Sequence, residues 1–125
     1  MQLNYDCVRE LLLVLESELV MDDDLHYPDI SLEKICELLP DFSKQEIAYT
    51  SLKLGEAEYI EMNPINADSV IVTIRYYGIT FDGHQYLDSI RDSKVWNDLK
   101  SGSRALTFDL VKKLAEKYVL SKFIP

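Results

Sequence analysis

The sequence is poor in the features that mark several large protein classes. No apolar stretch approaches the roughly 20 residues needed to cross a bilayer. The best candidate, Leu11 to Leu15, is a short block flanked by Arg9, Glu10 and Glu16. Neither a membrane span nor a signal peptide is therefore expected. There are only two cysteines, Cys7 and Cys36, both at positions where a helical apolar face buries them. Such thiols behave as small hydrophobes and suit a reducing, cytoplasmic setting. With four glycines in the chain, no glycine-rich phosphate loop occurs, and Cys7, Cys36, His26 and His84 show no paired zinc spacing. Asp22, Asp24 and Glu33 fall at positions one, three and twelve of a calcium loop, but Tyr27 stands where that loop needs glycine and Pro28 follows, so the loop is rejected. No metal or cofactor is expected.

Positive charge is also scarce. Thirteen Lys and Arg face twenty-two Asp and Glu, a formal charge of −9. The imbalance is uneven: residues 1–30 carry −7, residues 31–77 carry −4 and residues 78–125 carry +2. A negative global field repels phosphate, so contact with nucleic acid requires a local positive face, which screening over about 8 Å at physiological salt permits. Most of these acids keep a small protein soluble.

What is present fits one globular domain of 125 residues, 47% hydrophobic and 28% charged. Asn4 caps a first helix whose apolar positions Val8, Leu11, Leu12, Leu15 and Leu19 recur at spacings of three and four, running to about Met21. An acidic connection, Asp22 to Asp29, leads to an extended Ile30. Ser31 caps a short second helix with Leu32, Ile35, Leu38 and Leu39 inward. After Pro40-Asp41-Phe42, Ser43 and Glu46 form an S-x-x-E capping box for a third helix to about Leu54, with Ile47, Ser51 and Leu54 inward. Tyr59–Met62 and Val70–Tyr76 read as a hairpin joined by a loop over residues 63–69. Thr80 caps a further helix to about Ser93, and a polar break at Ser101-Gly102-Ser103 precedes a last helix carrying Phe108, Val111, Leu114, Ala115 and Tyr118 opposite Lys112, Lys113 and Lys117. That last helix extends the core or pairs with its copy in a homodimer.

Three helices followed by a two-stranded hairpin is the order of a winged helix-turn-helix. The expected class is therefore α+β, with residues 1–78 as core and wing, and two additional C-terminal helices over 79–125 within the same domain.

The stretch from Ile79 through Gly83-His84-Gln85-Tyr86-Leu87-Asp88-Ser89-Ile90-Arg91-Asp92 to Trp96 resembles a family of small bacterial and phage proteins catalogued as domain of unknown function 2513. Leu3–Arg9 and Phe108–Tyr118 are similar to it as well, so the likeness covers most of the chain. The resemblance implies a winged-helix-like fold and a frequent phage or prophage origin, and brings no established activity or catalytic residues. One departure stands out: where winged helices often read Ala-Gly-Leu-Ile entering the wing, this chain has Ala57-Glu58-Tyr59-Ile60, without the glycine that tolerates positive φ.

Two functional readings follow. In the leading one, a non-catalytic regulatory module contacts duplex DNA through Lys44, Gln45, Tyr49, Thr50 and Lys53 of the third helix and Arg75 of the wing. Residues 43–54 sum to only +1, and Glu61 and Asp68 oppose Arg75. In the alternative, the acidic first quarter, with Asp22, Asp23 and Asp24, engages a basic protein partner. Tyr49, Tyr59, Tyr76, Tyr77 and Tyr86 serve either as partner anchors or as half-buried core edges, and Trp96 either anchors an interface or fastens the C-terminal segment. His84 and Asp88 are spaced for a hydrogen bond on one helix, but no nucleophile is aligned with them, so no catalytic residue is expected.

Overall fold

A computed structural model describes residues 1–101, and these form an α+β domain with five helices and a three-stranded antiparallel sheet. The last helix and the dimer contact expected of it lie outside the described residues.

Helix α1, Tyr5–Glu18, is capped by Asn4, whose Oδ1 accepts from the N–H groups of Asp6 at 3.0 Å and Cys7 at 3.3 Å. It buries Cys7, Val8, Leu11, Leu12 and Leu15. The helix stops at Glu18, three residues before the expected end. Beyond Leu19 the apolar side chains Val20 and Met21 find no core and stand in solvent, and three consecutive aspartates would sit unfavourably on the negative end of the helix dipole.

Strand β1, Ile30–Ser31, pairs with the hairpin, and Ser31 caps α2, Leu32–Leu38. After the turn, α3 spans Lys44–Glu56. Only half of its capping box closes. Ser43 Oγ accepts from the Glu46 N–H at 3.1 Å, while the Glu46 carboxylate takes a bond from Asn4 Nδ2 at 3.3 Å and so ties the start of α3 to the cap of α1. Inside α3, Ser51 Oγ donates to the Ile47 carbonyl at 2.7 Å, which leaves it to accept from Tyr76 Oη at 2.6 Å. Burial pushes the Tyr76 phenol well above its ordinary range.

Helix α3 ends in a Schellman turn. The Tyr59 N–H reaches the Leu54 carbonyl and the Glu58 N–H the Gly55 carbonyl, with Glu58 in the left-handed region at φ 61°. Where a glycine was expected ahead of the hairpin, a glutamate thus holds the conformation a glycine would favour.

Strands β2, Ile60–Ala67, and β3, Val70–Ile79, are longer than expected. The anticipated loop over 63–69 shrinks to Asp68 and Ser69, both at positive φ in a two-residue turn. Pro64, placed by the sequence in that loop, lies within β2, and the order β1-β3-β2 makes β2 an edge, where proline is tolerated.

Helix α4, Phe81–Ile90, also ends early. Asp92 then caps α5, Ser93–Lys100, a helix the sequence reading did not anticipate. Tyr86, Leu87, Ile90 and Trp96 from these two helices join α1, α2, α3 and β3 in one buried cluster. Cys7 is fully enclosed there, whereas Cys36 is only half-buried, less than its helical position suggested.

Candidate interaction surfaces

The outward face of α3 begins with Lys44 and Gln45, both exposed, and continues through Tyr49 and Lys53, both partly exposed. Thr50 does not belong to it. At 1% exposure it is packed inward beside Cys7, one helical position from the Ser51 row. Lys53 sits 3.1 Å from the Glu56 carboxylate and 5.5 Å from the centre of the Tyr49 ring. Arg75 is bound to Asp29 at 2.8 Å across the β1–β3 edge, and this pairing raises its affinity for its proton. The structure therefore gathers Lys44, Gln45, Tyr49 and Lys53 on one helix and carries Arg75 on β3, with Glu33 within electrostatic reach of both Lys44 and Arg75. The cations Lys53 and Arg75 already have acidic partners.

That pattern is general. Residues 1–101 contain eight Lys and Arg against twenty Asp and Glu. Arg9, Lys34, Lys53, Arg75, Arg91 and Lys100 make ion pairs among the described residues, and Lys44 and Lys94 make none there.

The segment between α1 and β1 is organised around Asp22. Its Oδ1 accepts from the N–H groups of Asp24 and His26 at 3.0 Å, and its Oδ2 lies 2.7 Å from His26 Nδ1. These bonds hold the Asp22 carboxyl below its ordinary range. Asp22 thus shapes the loop, while Asp23 and Asp24 are exposed and take no such bonds to their side chains among the described residues. The same segment exposes Val20, Met21, Leu25 at 72% and Tyr27 at 90%. Sequence reasoning singled out the aspartates and missed these apolar neighbours. Their signal was an apolar residue on either side of an acidic run, with a proline ending the segment.

The other tyrosines divide sharply. Tyr76 and Tyr86 are core residues, Tyr59 stacks on Tyr86 with centroids 5.1 Å apart, and Tyr77 is exposed. Trp96 is buried, and its Nε1 donates to Asp6 Oδ1 at 2.8 Å, an oxygen that also receives Lys100 Nζ at 2.8 Å. Burial resists ionisation of Asp6, but these two donors together outweigh it and lower the pKa. Asp88 pairs with Arg91 rather than His84, and His84 lies 4.0 Å from Glu16. Among the described residues no three His, Cys, Asp or Glu side chains are arranged to hold a metal ion, and no helix is long and apolar enough to cross a membrane.

In the stretch Gly83 to Arg91, Gly83, Tyr86, Leu87 and Ile90 pack inward and Arg91 ties the helix end to α1. A Cβ on Gly83 would collide with the Tyr59 carbonyl and come within 2.7 Å of Ile79 Cγ2. Arg91 forks onto Glu16 with two 2.6 Å bonds, and Arg9 caps the end of α4 through the carbonyls of Ile90 and Arg91 at 2.9 and 2.6 Å. These residues lock α4 onto α1 and the base of the hairpin.

Fold and surface together define a small α+β domain whose polar features are charged faces and interlocking helix ends. The chain belongs to the family described as "Hypothetical protein (DUF2513)", whose model matches residues 2–114. It is similar to an "Uncharacterized protein" of Haemophilus influenzae, 32% identical over 130 residues, an alignment covering 95% of this chain and 96% of that one. No solved structure gives a significant match.

Proposed function

We propose that the chain is a non-catalytic winged-helix module that binds a basic protein partner through its acidic face. The winged-helix assignment is supported by the order helix, strand, helix, helix, strand, strand, with β1 lying against β3. A phage or prophage setting belongs to the same proposal and rests on family resemblance. The observation that carries the protein reading is the segment 19–29. There Leu25 and Tyr27 stand in solvent beside Asp23 and Asp24, on a loop that Asp22 holds in shape. Rigid apolar anchors ringed by charge of one sign suit a partner carrying the opposite sign.

The test is capture from host lysate on the immobilised chain, comparing Asp23→Asn with Asp24→Asn, and Leu25→Ser with Tyr27→Ser, with Asp22 left intact. A specific partner should be lost from both double variants. A partner retained by both would reject the loop as its contact.

A second reading, contact with duplex DNA through α3 and the hairpin, is favoured by the exposure of Lys44 and Gln45 at the start of α3. It requires binding to mixed duplexes that weakens steeply with salt, and a shallower salt slope when Lys44→Ala and Lys53→Ala are combined. Absence of duplex binding at low salt removes this reading and leaves the first in place.

A further inference from the structure

We propose that helix α5 is a strap, hinged at Asp92 and latched on the Asp6 carboxylate, that opens as one unit while the rest of the described fold stays closed. The joint is short. Arg91 still has helical backbone, at φ −60° and ψ −44°, and Asp92, at φ −68° and ψ 124°, turns the chain out of it before α5 begins. A change of backbone angle at such a joint is enough to swing the helix that follows.

The two sides of the joint are held differently. On the α4 side, Arg9 donates to the carbonyls of Ile90 and Arg91, and Arg91 forks onto Glu16. Tyr86, Leu87 and Ile90 anchor the same helix in the core. On the α5 side, Val95 and Trp96 are the buried side chains. Trp96 Nε1 and Lys100 Nζ both bond to Asp6 Oδ1 at 2.8 Å. Four residues apart on α5, Trp96 and Lys100 share one face of it. A single oxygen at the start of α1 thus receives both bonds.

That convergence couples the two bonds. The side chains of Lys100 and Asp6 are 37% and 48% exposed, so salt screens their pairing. The indole is buried, and without Asp6 its N–H would be a donor cut off from water. An isolated helix of eight residues does not persist in water, where roughly 12 to 15 are needed even for good helix formers. Withdrawal of Trp96 from the buried cluster therefore melts α5 as it lifts, and it uncovers an apolar berth that the closed state fills. Openings that withdraw few apolar side chains lie below global unfolding in free energy.

The test is native-state hydrogen exchange of the isotopically labelled full chain at a series of low urea concentrations. It is read at the Trp96 indole proton, unambiguous because the chain has one tryptophan, and at the amides of 96–100. These protons should share one opening constant, roughly tenfold or more above that of the Leu11 and Ile74 amides and only weakly dependent on urea. The amides of 87–90 should stay with the core. Asp6→Ala should raise the α5 opening constant by roughly tenfold, because the indole loses its acceptor. Asp6→Asn keeps an acceptor oxygen and should raise it less. Lys100→Met leaves Asp6 at the start of α1, where its charge also suits the helix dipole, and should raise the constant by about threefold. Exchange of α5 at the constant and urea slope of the core, exchange graded toward Lys100 as in simple fraying, exchange of 87–90 together with α5, or an opening constant unchanged in the Asp6 variants would each overturn the proposal.

Discussion

The hydroxyl of Thr80 donates to the carbonyl of Glu58 at 2.6 Å and accepts from the Gly83 N–H at 3.0 Å. One side chain therefore caps α4 and pins that helix to the residue that ends α3. The Thr80 N–H adds a third tie, to the Tyr59 carbonyl at 3.0 Å.

Thr80→Ala removes the cap and leaves the Glu58 carbonyl without this donor. The two losses together should destabilise the fold by about 2 kcal/mol. Thr80→Ser keeps both bonds and should recover most of that difference in urea unfolding. Equal stabilities of the alanine and serine variants would show that the hydroxyl contributes nothing.

Glu58 holds a left-handed conformation that disfavours a Cβ. Glu58→Gly relieves that cost, partly offset by the greater freedom of glycine in the unfolded chain, and should raise stability by about 1 kcal/mol. The measurement is the urea midpoint at constant slope. A lowered midpoint would mean that the Glu58 side chain contributes more than its backbone costs.

At Gly83 the opposite sign is expected. Gly83→Ala drives a methyl group into the Tyr59 carbonyl, backbone that the Schellman turn and Thr80 hold in place. A loss of about 3 kcal/mol should follow, near the upper end of overpacking costs. A variant within the error of the parent would show that α4 shifts freely on the hairpin.

Acid should loosen the α1–α4 contact. Hydrogen bonds from Arg91 hold the Glu16 pKa below its ordinary 4.5. Since the folded value is the lower one, the stabilisation is complete above pH 4.5 and disappears as pH falls through the folded value. The stability difference between parent and Glu16→Gln should therefore shrink on acidification below about pH 4.5. A difference constant from pH 7 to pH 3 would separate Glu16 from this acid response.

Much of the fold was legible because its signals are local. Asn4, Ser31, Ser43 and Thr80 each cap the helix whose start they mark, and the inward residues Ile47, Ser51 and Leu54 follow from period alone. What escaped depended on neighbours distant in sequence. Pro64 is acceptable in a strand only because that strand lies at an edge, and Thr50 is buried only because α1 packs against its side of α3. The end of α1 is set by where the core stops. The candidate surfaces were half legible for the same reason. Composition exposed the shortage of free cations, but pairing Arg75 with Asp29, or assigning Asp22 to the shape of its loop, required tertiary geometry. The absence of a glycine ahead of the hairpin was visible; that glutamate would keep the same backbone angle was not.

Pro64 has one further consequence. With proline at its middle and register shifts at Glu61/Met62 and Ile65/Asn66, the outer rim of the hairpin offers neither a continuous row of donors nor a straight line of them. A passing chain finds no template there on which to add a strand. The β-branched run Val70 to Ile74 can thus remain in a small acidic protein without seeding fibrils from that side.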